Sequence, residues 1–453
     1  MKTTTQPHLV IEGHSPLTGE IEASGAKNSI TKLLIASLLS QKPSIFYGVP
    51  EIKEVEITLA LCQEIGMKAT WDKKAKTLYV HTPELTTTYI SQKYSGANRI
   101  PILLMGALLG RTSEDIVIPT TAGGCKIGKR PVDYHIMALK ALGATIEYRP
   151  MKTEGAYLAH AHHGLIGTEI HLPYPSVGAT ENTLLAACRA KGITTIHNCA
   201  IEPEILDLLL YLQKMGMCIS RPYDRTIVVE GRSNFSEVEH HVIRDRNEIA
   251  SFGMAAIATK GRVFIQGATQ EPIFPLLHKI QQVGGQFRIK KEGIEFFYDK
   301  PLSGTVALET NVHPGFLTDW QQPFVVLLTQ TSGMHTVHET VYENRFGYTT
   351  TLREMGAFIT PLTTCTTNTT CQFHNKNFLH SVLIRGITPL KGQTIHIPDL
   401  RGGFAYIMAA LIAEGESALY NLFYLERGYE KIEEKLLQLG AKIRLVTPTA
   451  QLT

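Results

Sequence analysis

Read for its apolar positions, the chain repeats one motif six times: an amphipathic helix runs into a glycine and then a short strand, as in EIGMKATW, ALGATIEY, KMGMCISR, QVGGQFRI, EMGAFITP and QLGAKIRL. The glycines are Gly66, Gly143, Gly216, Gly284, Gly356 and Gly440, successively 77, 73, 68, 72 and 84 residues apart. Each stands where a helix stops in a left-handed residue, a conformation open to glycine at no steric cost. Six copies at near-constant spacing predict six structural repeats.

A second helix in each repeat opens on small or polar residues and then turns apolar on nearly every side: SGAKNSITKLLIASLL, GANRIPILLMGALLG, GATENTLLAACRAKG, RNEIASFGMAAIATKG, TDWQQPFVVLLTQTSG and LRGGFAYIMAALIAEG. A helix without a polar face has to be enclosed, so three repeats about a pseudo-threefold axis would bury these helices at the centre of one lobe. Six repeats then form two lobes. β-Branched segments such as TTIHNCAIEP, RVFIQGATQEP and HTVHETVYEN predict the strands that follow. The pattern puts Lys27, Asn28, Arg99, Glu181, Asn182, Glu248, Asp319 and Arg401 at the starts of the central helices. Exposed amides and helix dipoles there would attract phosphates.

Composition bounds the partners. With 43% hydrophobic and 19% charged residues, the 453-residue chain can bury a large core, and its net charge of +3 is scattered without a run of five like charges. A nucleic-acid tail is therefore excluded, and small anions are the expected ligands. The seven cysteines, at 62, 125, 188, 199, 218, 365 and 371, form no CxxC pair. Neither a disulfide framework nor a zinc site is signalled, and a reducing, cytoplasmic setting is expected. No apolar leader and no run of eighteen apolar residues is present, so no signal peptide or membrane span is expected. His160, His162 and His163 in AHAHHG read as an exposed loop, and Cys365 and Cys371 flank a loop rich in Thr and Asn.

The candidate chemistry lies in IPTTAGGCKIGKRPVDYHI, residues 118–136, which follows a predicted strand and runs into a helix. Residues 123–129 match the start of a phosphate-binding P-loop, but Arg130 stands where Ser or Thr would hold magnesium, so nucleotide hydrolysis is not indicated. The loop instead presents the Cys125 thiol beside Lys126, Lys129 and Arg130. Neighbouring cations favour thiolate over thiol and make Cys125 a candidate acid, base or nucleophile. Cys62, Cys188 and Cys218 fall on predicted helices or strands and read as structural.

Taken together, SGAKN, GGCKIGKRPVDYH, TDWQ, VYENRFGY, PDLRGG and LERGYEKIEEKLLQLGA, in that order along the chain, closely resemble the UDP-N-acetylglucosamine 1-carboxyvinyltransferases, the enolpyruvyl transferases of peptidoglycan synthesis. The resemblance implies a two-lobed inside-out α/β barrel, with residues 27–243 in one lobe and residues 1–26 and 244–453 in the other. It implies transfer of enolpyruvate from phosphoenolpyruvate to the sugar 3-hydroxyl by addition and elimination in a monomer, with no metal or organic cofactor. Cys125 would be the general acid and covalent acceptor and the fosfomycin target, and Asp319 the base. Lys27, Arg130, Arg401 and Arg427 would converge on phosphoenolpyruvate, since an arginine fork grips phosphate and carboxylate alike. Asn28, Arg99, the run Arg130, Pro131, Val132, Asp133 and Tyr134, then Ser176, Val177, Gly178, Asp319, Val341 and Arg345 would face the nucleotide sugar or line its cleft. Asp245 and Glu248, near the second lobe's first helix, are structural or line the cleft. The chain departs from the family pattern at Leu103, where several members carry Trp, and at Tyr174, where they carry Lys. A shikimate-type transferase would lack the GGC loop and the RPVDxH run. A non-catalytic UDP-sugar-binding paralogue would have no need of Cys125, Asp319 and the cation set.

Overall fold

All six repeat glycines close a helix in the same way. In the computed structural model, which describes residues 6–96, 98–120, 131–150, 155–343, 345–367 and 371–447, their φ angles run from +81° to +117°. Each sits just past a helix end: Gly66 after Lys53–Glu64, Gly143 after Asp133–Ala141, Gly216 after Pro203–Lys214, Gly284 after Phe274–Gln282, Gly356 after Thr349–Glu354 and Gly440 after Ile432–Gln438. At the first, Met67 N–H donates to Cys62 O at 3.0 Å and Gly66 N–H to Gln63 O at 3.1 Å, and the other five repeat the pair. This double bond satisfies carbonyls that would otherwise be orphaned at the helix terminus and turns the chain into the next strand.

The described strands form six sheets, one per repeat, and all share a topology of one parallel edge pairing followed by two antiparallel ones. Five are four-stranded. In the three-stranded sixth, a parallel bridge from Tyr89 to Val117 stands in for the edge strand. The chain divides into two units, residues 25–120 with 131–243, and residues 6–24 with 244–447.

Each unit is closed by strands borrowed from far along the chain. In the first, Val238–His241 lies parallel to Ser44–Tyr47. In the second, Thr18–Glu22 lies parallel to Arg262–Gln266, and His8–Glu12 runs antiparallel between Glu416–Tyr420 and Ile443–Val446.

The apolar helices lie at the centre of each unit. Lys27–Ser37, Leu104–Leu109 and Val177–Ala187 pack together in the first, and Arg246–Ala258, Thr318–Thr329 and Leu400–Ile412 in the second. Every residue of Arg246–Ala258 is buried, as its lack of a polar face requires. Close helix approach explains Gly106, where a Cβ would stand 2.2 Å from the Asn182 carbonyl oxygen. Phe404 meets Phe252 edge-on and lies tilted against Tyr429, each pair with ring centroids 5.1 Å apart, in the second unit's core.

Among the described residues, no helix is long and apolar enough to cross a membrane.

Candidate functional site

In the second unit, the central helices begin on acidic residues that organise arginines. Asp399 caps Leu400–Ile412, its Oδ1 accepting from the N–H groups of Arg401 and Gly402, both at 3.0 Å. Asp245 caps Arg246–Ala258 in the same manner, through Asn247 and Glu248 at 2.8 and 3.2 Å. Asp319 lies in the first turn of Thr318–Thr329, where Pro323 lacks the N–H that would bond its carbonyl. Its carboxylate is gripped from two sides, by Arg345 Nη2 at 2.7 Å and by Arg401 Nε at 3.5 Å.

The two arginines are 2% and 5% exposed, while the Asp319 side chain keeps 28% of its surface. Burial works against both guanidinium charges, yet both are held more firmly protonated than usual. Asp319, Asp399 and Glu339 act on Arg345, and Tyr429, Asp245 and Asp319 on Arg401. Glu339 is fully buried and its carboxyl is pushed up by that burial, against the pull of Arg345. It accepts from Thr318 Oγ1 at 2.9 Å and from the N–H groups of Val341 and Tyr342 at 2.8 and 3.1 Å, so it shapes the turn carrying Val341. Arg345 Nε and Arg401 Nη1 are buried with no hydrogen-bond partner among the described residues. Leaving a buried donor unpaired costs about 1–3 kcal/mol and more for a charged group, which is tolerated where a ligand supplies the acceptor. Arg427 is 8% exposed and packs over the Phe423 ring.

The first unit holds the other described residues singled out by sequence. Lys27 opens the helix Lys27–Ser37 with its ammonium 3.6 Å from Glu54, and Asn28 follows it, half-buried. Ser176 caps Val177–Ala187 by accepting from Ala179 N–H at 3.3 Å. Pro131 and Val132 lead into Asp133–Ala141, with Asp133 exposed at its start and Tyr134 half-buried. Cys125 and Arg130 lie outside the described residues.

Two residues assigned no role of their own from sequence, His135 at the end of the RPVDxH run and Asn182, tie these pieces together. His135 packs against Gly178 so closely that a Cβ there would meet its ring at 3.0 Å. Asn182 Oδ1 accepts from Gly106 N–H at 2.8 Å, which directs Nδ2 to donate to Ile102 O and to His135 Nδ1, both at 3.1 Å. His135 Nδ1 must therefore accept, and the ring is neutral. Burial, helped by the charge of Arg99, pushes its pKa down to about 3.

Asn182 and Glu181 lie in the body of Val177–Ala187, deeper than their expected position at a helix start, because Ser176 rather than the GATEN run begins the helix. Glu181 is buried 3.7 Å from Lys32, and burial lifts its carboxyl to about 7. Glu248 is also buried, bonded to Ser24 N–H at 3.1 Å and to Lys435 at 2.5 Å, and is structural. Leu103 is buried at 2% in the core of its unit.

The neutral His135 carries a pH signature. Its folded pKa lies below the ordinary 6.5, so its contribution to stability is complete above pH 6.5 and is lost as pH falls towards about 3. The loss should approach about 1.4 kcal/mol per pH unit over that window. Urea midpoints measured from pH 7 to pH 4 should fall more steeply for the wild type than for His135→Gln; parallel curves would remove His135 as the titrating group.

A family model described as EPSP synthase (3-phosphoshikimate 1-carboxyvinyltransferase) matches residues 11–436. Three curated relatives carry the name UDP-N-acetylglucosamine 1-carboxyvinyltransferase. The protein from Protochlamydia amoebophila is 60% identical over 97% of this chain and 94% of its own length. That from Chlamydia abortus is 51% identical over 96% and 97%, and one from Staphylococcus aureus MRSA252, whose name carries a final 1, is 36% identical over 97% and 99%. The crystal structure of the enolpyruvyl transferase NikO from Streptomyces tendae superposes with a TM-score of 0.85 over 98% of this chain and all of that one, at 21% identity, and so shares the fold. With a family model and close relatives spanning nearly its whole length, the chain belongs to the UDP-N-acetylglucosamine 1-carboxyvinyltransferases, within the EPSP synthase family of enolpyruvyl transferases.

Proposed function

We propose that this chain transfers the enolpyruvyl group of phosphoenolpyruvate to the 3-hydroxyl of UDP-N-acetylglucosamine, releasing phosphate, as a cytoplasmic step in peptidoglycan synthesis. Full-length kinship with proteins of that name supports the reaction. The observation that carries it to the residues is the Arg345–Asp319–Arg401 cluster, whose two buried, unpartnered guanidinium donors suit a dianionic ligand.

In this reading, the sugar 3-hydroxyl adds to the central carbon of phosphoenolpyruvate while its methylene carbon takes a proton. Loss of a proton from that carbon then expels phosphate and restores the double bond. Asp319 takes the hydroxyl proton and Cys125 supplies the proton taken by the methylene carbon; as covalent acceptor, the Cys125 thiol adds across the same double bond, sulfur to the central carbon, and that S–C bond breaks again before the sugar oxygen bonds there. Lys27, Arg130, Arg401 and Arg427 neutralise the phosphate and carboxylate. Asn28, Arg99, Pro131, Val132, Asp133, Tyr134, Ser176, Val177, Gly178, Val341 and Arg345 bind or frame the nucleotide sugar. The neutral His135, wedged against Gly178, positions the start of Val177–Ala187.

Phosphate release from phosphoenolpyruvate by the purified protein, with and without UDP-N-acetylglucosamine, tests the reading. Release that depends on the UDP-sugar is expected. No release, or release supported equally by shikimate 3-phosphate, would overturn the assignment of acceptor.

A further inference from the structure

At one end of the sheet formed by Ala307–Glu309, Gly333–His338, Phe358–Leu362 and Ser381–Gly386, four soft or borderline ligands converge. His338 ends one strand, His380 immediately precedes another, Cys365 follows a third, and Cys371 lies on the loop between. One ligand atom from each of the four lies within 4.8 Å of all the others. The strand pairing produces the convergence, because His338 is paired with Ser381 and Leu362 with the same Ser381.

Two of the separations match edges of a zinc tetrahedron, and all four ligand atoms lie within 4.8 Å of one another. Zinc bonds of about 2.3 Å to sulfur and 2.0–2.1 Å to nitrogen imply edges of about 3.8 Å between two sulfurs and about 3.6 Å between sulfur and nitrogen. Cys365 Sγ lies 3.6 Å from Cys371 Sγ and 3.5 Å from His380 Nε2. A disulfide would bring the sulfurs to about 2.05 Å.

Hydrogen bonds also fix both imidazoles in a ligating form. His380 Nδ1 donates to the Phe378 carbonyl at 2.9 Å, which leaves the Nε2 lone pair turned to Cys365. Thr367 Oγ1 donates to Glu309 Oε2 at 2.6 Å, so it accepts from His338 Nδ1 at 2.8 Å. His338 Nε2 is then a buried lone pair with no partner among the described residues. Such carbonyl and carboxylate backing is the usual outer shell of metal-bound histidine. Phe373 N–H donates to Cys371 Sγ at 3.3 Å. Both histidines are 0% exposed and both cysteines half-buried, as in a closed structural site. His374, exposed, approaches Cys365 Sγ from outside at 3.8 Å. Two further clusters of this kind among the described residues, Asp115–His160–His162 and Glu169–His171–His197, offer no cysteine and are largely exposed.

We propose that His338, Cys365, Cys371 and His380 hold one zinc ion that ties Cys365 and the segment 371–380 to the end of this sheet. Binding exchanges the two thiol protons for the dication, leaving the four-ligand centre neutral. The staple bears on the substrate side through Gln372, whose Nε2 donates to the carbonyls of Thr340 and Val341 at 2.9 and 3.4 Å.

The test is metal analysis of the full chain, purified without metal-affinity resin, loaded with zinc and desalted. About one zinc per chain is expected, with X-ray absorption giving two sulfur and two nitrogen neighbours at the bond lengths above. Cys365→Ser and His380→Gln should each lower the retained zinc at least about tenfold, while Cys218→Ser, at an exposed cysteine of the other unit, should leave it unchanged. If those variants fail to fold, cobalt substitution of the wild type decides, since thiolate-to-metal charge-transfer bands require cysteine ligation. Retention below about a tenth of an equivalent, an oxygen-only ligand shell, or a Cys365–Cys371 disulfide in protein isolated without reductant would overturn the proposal.

Discussion

Replacing Asp319 with asparagine is expected to lower kcat for phosphate release by about 10²- to 10⁴-fold, the contribution of a positioned general base. Asparagine keeps the shape but cannot take a proton. The same change should tighten the binding of inorganic phosphate, because it removes the carboxylate that competes for Arg345 and Arg401. Asp399, Glu339 and Asp245 remain as counter-charges, so the fold should survive at a cost of about 1–3 kcal/mol. Steady-state rates, phosphate titration by calorimetry and thermal melts separate these effects. A kcat within tenfold of the wild type would take the role of base away from Asp319, and weaker phosphate binding would mean the carboxylate organises the arginines rather than competing for them.

The second large effect is expected at Cys125, where alanine should abolish phosphate release to within about 10²- to 10⁴-fold below the wild-type rate. Lys126, Lys129 and Arg130 follow it closely in the sequence, and cations beside a thiol favour the reactive thiolate. Mass spectrometry provides a reading independent of turnover: incubation with fosfomycin should add one epoxide-derived mass to the wild type and none to Cys125→Ala. Cys125→Asp should likewise escape alkylation. Labelling that persists in Cys125→Ala would assign the reactive thiol to another cysteine, of which the exposed Cys218 is the first to examine.

Much of the architecture could be read in advance because it rests on local rules applied six times. A glycine after an amphipathic helix can do little else than close it, and the six of them do so with one hydrogen-bond pattern. The unbroken apolar helices likewise had to be central. The placement of candidate residues was legible where they lie in a helix's first turn, as with Lys27, Asp319 and Arg401. It was misjudged where side-chain capping shifted the helix start, as when Ser176 sent Glu181 and Asn182 into the interior. Nothing in the periodicity marks His135, whose neutrality follows from an amide network spanning Gly106 to Asn182. The Cys365 quartet was hidden for another reason: its members are separated by 27, 6 and 9 residues, and only strand register gathers them.

Strand pairing also sets a timetable for the molecule's birth. His8–Glu12 is bonded on one side to Glu416–Tyr420 and on the other to Ile443–Val446. At about 5–20 residues per second, ribosomal synthesis leaves this early strand waiting roughly 20 to 90 seconds for its neighbours. Residues 25–243 can meanwhile assemble by themselves, since their own sheets are complete once Val238–His241 has emerged. The nascent chain thus carries a finished half behind an unpaired leading ribbon, and chaperone capture during translation should fall on that ribbon and on the half still being made.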